Sequence, residues 1–161
     1  MLFRSSQKMS KKDFKSYMLG FGLGEKTEID LPNETAGLVS NLNSNRSVEY
    51  ANISFGQGIA MTPISVVRSL SALGNGGHLI TPHIVQSIKY RNGLSKKITH
   101  DLGNQVISPE TSEEITRMLV EVVDSTLKGG EAKLDFYSIA AKTGTAQIPS
   151  PDRKSTRLNS S

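Results

Sequence analysis

The stretch from Ser108 to Gly130 limits the possible folds of this chain more than any other, because it carries a full set of helix signals. Ser108 can accept an orphan backbone N–H through its hydroxyl, Pro109 suits the first helical position, and Glu110, Glu113 and Glu114 favour the positive end of the helix dipole. Lys128 precedes Gly129-Gly130, a stopping pair. Ile115, Met118, Leu119, Val122, Val123 and Leu127 fall on one stripe, which is expected to pack on a sheet. With 161 residues, 36% hydrophobic and 21% charged, the chain matches a globular domain rather than a collagen-like, coiled-coil or disordered one. No window approaches 18 consecutive apolar residues, so neither a membrane span nor a signal peptide is expected within it. The absence of cysteine removes disulfides, thiolate metal ligands and a thiol nucleophile.

Two more helices have local start signals. Ser10 caps a segment whose Phe14, Tyr17, Met18 and Phe21 recur at helical spacing before Gly20, Gly22 and Gly24 end it. Thr62-Pro63 opens another, expected to turn Ile64, Val67, Leu70 and Leu73 inward and to stop at Gly74-Asn75-Gly76-Gly77. Between them, Gly24 to Gly37 reads as a short strand and turn, with Thr27, Ile29 and Leu31 alternating, and 38–53 shows no clear pattern. Leu79 to Tyr90 reads as one or two strands with Pro82 at a break, Arg91-Asn92-Gly93 as a turn, and Ile98 as the start of another strand. Ser138 to Ile148 is strand-like. Residues 155–161 follow Pro149-Ser150-Pro151 without periodicity and are set aside as a linker or non-native tail, which places the domain at 8–154. The expected class is α+β, helices packed on an antiparallel sheet.

The formal charge is +4, and Arg4, Lys8, Lys11, Lys12 and Lys15 against Asp13 concentrate it at one end. With aromatics at only 6%, this reads as a solvated basic helix face, and no nucleic acid is expected as a partner. His78, His83 and His100 lack a ligand pattern, so no metal is expected. Gly20-Phe-Gly-Leu-Gly24 and Gly56-Gln-Gly58 miss the spacing of phosphate loops, and no cofactor is expected. Glu113, Glu114 and Glu121 lie opposite the apolar stripe and read as a wet face rather than paired catalytic carboxylates.

Chemistry concentrates at Lys142-Thr143-Gly144: a cation, a hydroxyl and a glycine on a predicted strand, with Lys142 and Gly144 on one side of the pleat and Thr143 on the other. A glycine there lets another backbone approach, and the donors suit the carboxylate of an extended peptide. Taken with Thr145-Ala-Gln147, Phe21-Gly-Leu-Gly24, Thr27-Glu-Ile-Asp-Leu-Pro-Asn-Glu34, Ser54-Phe-Gly-Gln-Gly58, Met61-Thr-Pro63 and Asn75-Gly-Gly77, the triplet resembles the transpeptidase domain of class B penicillin-binding proteins. The blocks occur in that family's order over about residues 8 to 154.

The resemblance implies a partial penicillin-binding-protein/β-lactamase-like domain and a serine acyl transfer that cross-links peptidoglycan stem peptides. It also implies binding of β-lactams and a location on the extracytoplasmic face of the bacterial plasma membrane, reached through an N-terminal anchor outside this chain. Under it, Lys142 supplies positive charge to the proton relay and the substrate carboxylate, and Thr143 holds the motif's geometry. Gly144 admits the substrate, and Thr145 binds the terminal carboxylate while its N–H contributes to an oxyanion hole. Gln147 completes the substrate-binding strand. The family's nucleophile motif, Ser-x-x-Lys, matches only at Ser5–Lys8 and Ser125–Lys128. With 21 Ser and 12 Lys, about 1.6 such matches arise by chance, and neither stands at the family's position. Its second motif, Ser-x-Asn, occurs nowhere. The expectation is therefore a fragment of a D,D-transpeptidase, truncated at both ends, inactive and poorly soluble alone, whose further partner is the remainder of its own domain. Two alternatives stand beside it: a non-catalytic penicillin- or peptide-binding sensor or scaffold, and a basic module binding anionic polymer through residues 4–15.

Overall fold

The computed structural model describes residues 8–99, 102–149 and 156–160. Helix α1 (Lys11–Gly20) begins at Ser10, whose hydroxyl accepts the Asp13 N–H at 3.1 Å. A 3-10 turn (Ser40–Asn43) leads to α2 (Ser47–Ile53), then α3 (Pro63–Gly74), the hairpin β1 (Ser87–Lys89) and β2 (Ser95–Lys97), and α4 (Pro109–Glu121). Helix α4 widens into a π-helical turn at Val122–Thr126 and tightens into a 3-10 turn at Leu127–Gly130. Strands β3 (Thr145–Pro149) and β4 (Thr156–Ser160) close the order. Both pairs are antiparallel, with Ile88 opposite Lys96 in one and Gln147 opposite Leu158 in the other. The α+β class with antiparallel pairing is thus as expected. Residues 156–160, left out of the fold by the sequence reading, form the partner of β3.

The unread stretch 38–53 supplies much of the core. Leu42, Tyr50, Ala51 and Ile53 are buried, and the Tyr50 hydroxyl donates to the Leu42 carbonyl at 2.7 Å, so the ring is buried with its polar atom satisfied. Phe14 meets the Tyr50 ring edge-on, centroids 5.9 Å apart. The basic face of α1, expected to be solvated, is in part bonded to the protein. Lys11 donates to the Asn45 carbonyl and lies over the Tyr50 ring, and Lys15 donates to Asn43 Oδ1, both at 2.6 Å. Two of its ammonium groups therefore tie α1 to the 43–45 loop.

The expected strand between Gly24 and Gly37 does not form. Thr27 is fully buried and donates its N–H and its hydroxyl to Glu34 Oε1, while the Glu28 N–H reaches Glu34 Oε2 at 3.0 Å. Those donors would otherwise serve a neighbouring strand, and one carboxylate takes them all. The turn puts Glu28 and Asn33 at φ of 60° and 63°. Asn tolerates that region; at Glu28 it costs about 1–2 kcal/mol, which the Glu34 hydrogen bonds offset. Asp30 ties the same loop to a distant segment by accepting the Ile84 and Val85 N–H groups at 2.8 and 2.7 Å.

Helix α3 also buries a different face from the one its pattern suggests. Thr62 caps it as expected, but Ser65 and Ala72 are its buried residues, while Val67 and Leu70 are 62% and 59% exposed. Ser69, one turn on from Ser65, donates to the Phe21 carbonyl at 2.8 Å. Small and hydroxyl-bearing residues let α3 approach the loop after α1 closely, while Ile64 and Leu73, also expected inward, are half-buried. Beyond α3, Gly77 has φ of 92°, and a Cβ there would stand 2.0 Å from the Ile107 carbonyl oxygen. Only glycine lets this segment lie against 104–106, where Leu79 N–H meets Asn104 O and Val106 N–H meets Gly77 O.

The Glu34 clasp carries a pH dependence. Its carboxyl is held below the ordinary glutamate range, first by the Thr27 hydroxyl and further by the Thr27 and Glu28 amides. A carboxyl depressed in the folded state contributes stability that is fully present above its unfolded value of about 4.3. That contribution is lost as pH falls through the lower folded value. Amide exchange is expected to show protection factors at Thr27 and Glu28 that are constant near neutrality and collapse in acid. In Glu34→Gln the same amides are expected to show no transition in that window.

Candidate functional site

Helix α4 positions the candidate site. The Ser108 hydroxyl accepts the Thr111 N–H at 3.2 Å, and one turn later Ser112 is buried against the end of α3. The Ser112 hydroxyl donates to the Leu73 carbonyl at 2.7 Å and accepts the Gly76 N–H at 3.2 Å, and Thr116 donates to the same carbonyl at 3.0 Å. Helix ends leave backbone groups without partners, and here two hydroxyls of a second helix supply them. The apolar stripe of α4, expected to meet a sheet, thereby runs beside α3: Val123 is buried, Leu119 and Val122 are half-buried and Met118 is exposed.

The 138–144 segment runs along the far part of α4 as extended chain without strand pairing, and the Ala141 N–H approaches the Leu119 carbonyl at 3.4 Å. Between this segment, α3 and α4 lies a groove of about 460 Å³, walled by Leu70, Leu73, Leu119 and Ala140, with Lys142 also in its lining. A larger groove of about 640 Å³ on another flank of α4 is bordered by Glu113, Arg117 and Glu121, with Ser138 at its rim.

Lys142, Thr143 and Gly144 are all exposed, ahead of the strand rather than within it. Their expected alternation about a pleat is therefore not seen. Lys142 Nζ folds back on its neighbour, donating to the Thr143 carbonyl at 2.8 Å and approaching its hydroxyl at 3.4 Å. Among the described residues Lys142 forms no ion pair, so its charge is held near the groove by local bonds alone. Strand β3 begins at Thr145, opposite Ser160, and Gln147 stands opposite Leu158. The side chains of Thr145 and Gln147 lie outside what the structure describes.

The remaining candidates have local roles. Ser125 donates to Glu121 Oε1 at 2.5 Å on the π-helical turn, while Ser5 lies outside the described residues. Glu114 is held below the ordinary glutamate range by its bidentate bond to Arg117, at 2.6 and 2.9 Å, an exposed pair on the outer face of α4. His78 Nδ1 bonds the Gly103 carbonyl at 3.1 Å, and His83 Nδ1 stands 3.4 Å from the Thr81 carbonyl; His100 lies outside the described residues. No three His, Asp or Glu side chains converge among the described residues. The block at Gly56–Gly58 acts as a joint, where Asn41 Nδ2 donates to the Gly58 carbonyl at 2.7 Å and Leu38 pairs with Ala60. Sequence reasoning missed Ser112 and Thr116, whose signal was their place on the helix face toward α3 rather than their type.

A family model described as the penicillin-binding protein transpeptidase domain matches residues 1–161. Stage V sporulation protein D of Bacillus subtilis is 37% identical over 150 residues, covering 88% of this chain and 22% of that protein. The peptidoglycan D,D-transpeptidase FtsI homolog of Mesostigma viride is 30% identical over 161 residues, covering 88% and 26%. The crystal structure of penicillin-binding protein 3 from Mycobacterium tuberculosis complexed with ampicillin superposes with a TM-score of 0.85 at 28% identity, covering 96% of this chain and 36% of that one. The chain thus spans about a quarter or less of the length of these curated relatives.

Gly144 offers a test that separates fold from site. A Cβ added there meets nothing within 4 Å, and its backbone is not left-handed. Gly144→Ala in the full-length protein is expected to leave the melting temperature unchanged, as a position with open space around it and no packing role would. A clearly lowered melting temperature would instead give Gly144 a role in packing.

Proposed function

The chain belongs to the penicillin-binding protein transpeptidase domain family, and from that premise we propose that it carries the third-motif side of a peptidoglycan D,D-transpeptidase site. The observation that carries this reading is the placement of Lys142-Thr143-Gly144: exposed, free of carboxylate partners among the described residues, open at Gly144, and with Lys142 lining a groove walled by α3 and α4. The Lys142 side chain lines an apolar groove while, among the described residues, its ammonium bonds only the adjacent Thr143. It keeps its charge where an anionic peptide terminus could reach it.

In the proposed reaction a serine elsewhere in the whole protein attacks the carbonyl of the penultimate D-alanine of a stem peptide. Its Oγ forms an ester as the C–N bond to the terminal D-alanine breaks, and the proton taken from the serine leaves with that amine. An amine of a neighbouring stem peptide then attacks the ester, forming the cross-link and returning the proton to the serine. Lys142 favours the anionic groups of this sequence electrostatically, and Thr143 holds the Lys142 ammonium through its carbonyl and hydroxyl. Gly144 admits the substrate backbone, Thr145 binds the terminal carboxylate and offers its N–H to the developing oxyanion, and Gln147 extends the binding strand. A β-lactam would enter the same groove, its ring amide taking the place of the peptide bond. The structural relative complexed with ampicillin supports that part of the reading. We place the reaction on the extracytoplasmic side of the plasma membrane, where stem peptides are cross-linked. Among the described residues no helix is long and apolar enough to cross a membrane. The further partner in this reading is the rest of the same domain, against which the exposed Val67 and Phe136 would pack.

Labelling with a fluorescent penicillin tests the proposal. The full-length protein is expected to take up one covalent label, and Lys142→Ala to slow labelling about 100-fold or more, the scale on which removal of one charge-stabilising donor is felt. The 161-residue chain alone is expected to take up none. A stoichiometric adduct at Ser125 would overturn the assignment of roles. Tight but non-covalent binding by the full-length protein would favour a sensor or scaffold.

A further inference from the structure

The β1–β2 hairpin stands apart from the candidate site. Between Gln86 and Ile98 it carries Lys89, Arg91, Lys96 and Lys97 and no acidic residue, and every residue of both strands is exposed. None of the four cations forms an ion pair among the described residues. The hairpin is nevertheless well built. Asp30 holds its base through the Ile84 and Val85 amides, Ile98 N–H meets the Gln86 carbonyl at 3.0 Å, and Tyr90 N–H meets the Leu94 carbonyl at 2.9 Å at the turn. An isolated two-stranded sheet that buries neither face is marginal in water, so this one gains from a covering partner.

The register sorts its side chains. Ser87, Lys89, Ser95 and Lys97 share one face, while Ile88, Tyr90 and Leu94 share the other with Lys96. Those three apolar side chains are 41%, 48% and 65% exposed. Each strand has one neighbour among the described residues, leaving a backbone edge on either side. We propose that this hairpin is a docking edge for an acidic, extended segment of a partner protein. Strand addition places alternate side chains on opposite faces, so a segment added along the free edge of β1 and alternating acidic and apolar residues would set its carboxylates beside Lys89, on the face that also carries Lys97, and its apolar groups beside Ile88 and Tyr90, on the face that also carries Leu94 and Lys96. The lysines also decide against a second copy of this chain, since pairing two such hairpins would bring like charges together. A polyanion recognised by charge alone would make no use of the apolar face.

The test uses the full-length protein and short fluorescent peptides read by anisotropy. A peptide alternating glutamate and valine is expected to bind, and about tenfold more tightly than a peptide of the same composition arranged as Glu-Glu-Val-Val blocks. The Lys89→Glu/Lys97→Glu protein is expected to lose about tenfold for the alternating peptide and to gain binding to its lysine-valine counterpart, a swap that a misfolded variant would not produce. Equal binding of the block peptide, displacement by inorganic polyphosphate at similar concentration, unchanged affinity in the reversed protein, or no binding at all would each overturn the proposal.

Discussion

The joint between α3 and α4 rests on two hydroxyls of α4, chiefly the buried one of Ser112. The terminal carbonyls of α3 have no helical partner, and their burial against α4 would be costly without donors. Ser112 meets the Leu73 carbonyl and the Gly76 N–H together, and Thr116 adds a second donor to Leu73. A larger apolar residue at 112 would neither satisfy those groups nor let the two helices approach. Because they do approach, the residues beyond them are constrained as well. Leu119 lies where its carbonyl faces Ala141, and the walls of the smaller groove come from Leu70 and Leu73 on one side and Leu119 on the other. The position of Lys142 is thus inherited from a contact two turns earlier on α4.

Local signals in the sequence were legible and distant ones were not. The starts of α1, α3 and α4 could be read because each cap is formed by a side chain bonding an N–H three residues away, at Ser10, Thr62 and Ser108. The buried face of α3 could not be read, since Val67 and Leu70 match the apolar pattern while Ser69 finds its partner 48 residues away, at Phe21. The strand expected at Thr27–Leu31 failed for the same reason: alternation was present, but Glu34 took the donors a ladder would have used. Helix α2 went unseen because it has only 7 residues and no side-chain cap.

The candidate site divides in the same way. The identities of Lys142, Thr143 and Gly144 were plain in the sequence, and the family they suggested is the one to which the chain belongs. Their geometry was not plain. An alternating strand would have pointed Lys142 and Thr143 apart, whereas the ammonium group reaches back to its neighbour's carbonyl, a bond that no periodicity encodes. Charge placement on α1 has the same lesson, with Lys11 and Lys15 looking like a wet face in sequence and acting as ties to the 43–45 loop in the fold.

If the Ser112 joint sets the position of the 138–144 segment, hydrogen exchange in the full-length Ser112→Val protein will be faster at Ala141 and its neighbours, with α1 unchanged. Exchange of the 138–144 amides as in the unsubstituted protein, with the α3–α4 contact demonstrably loosened, would show that the joint does not position the segment.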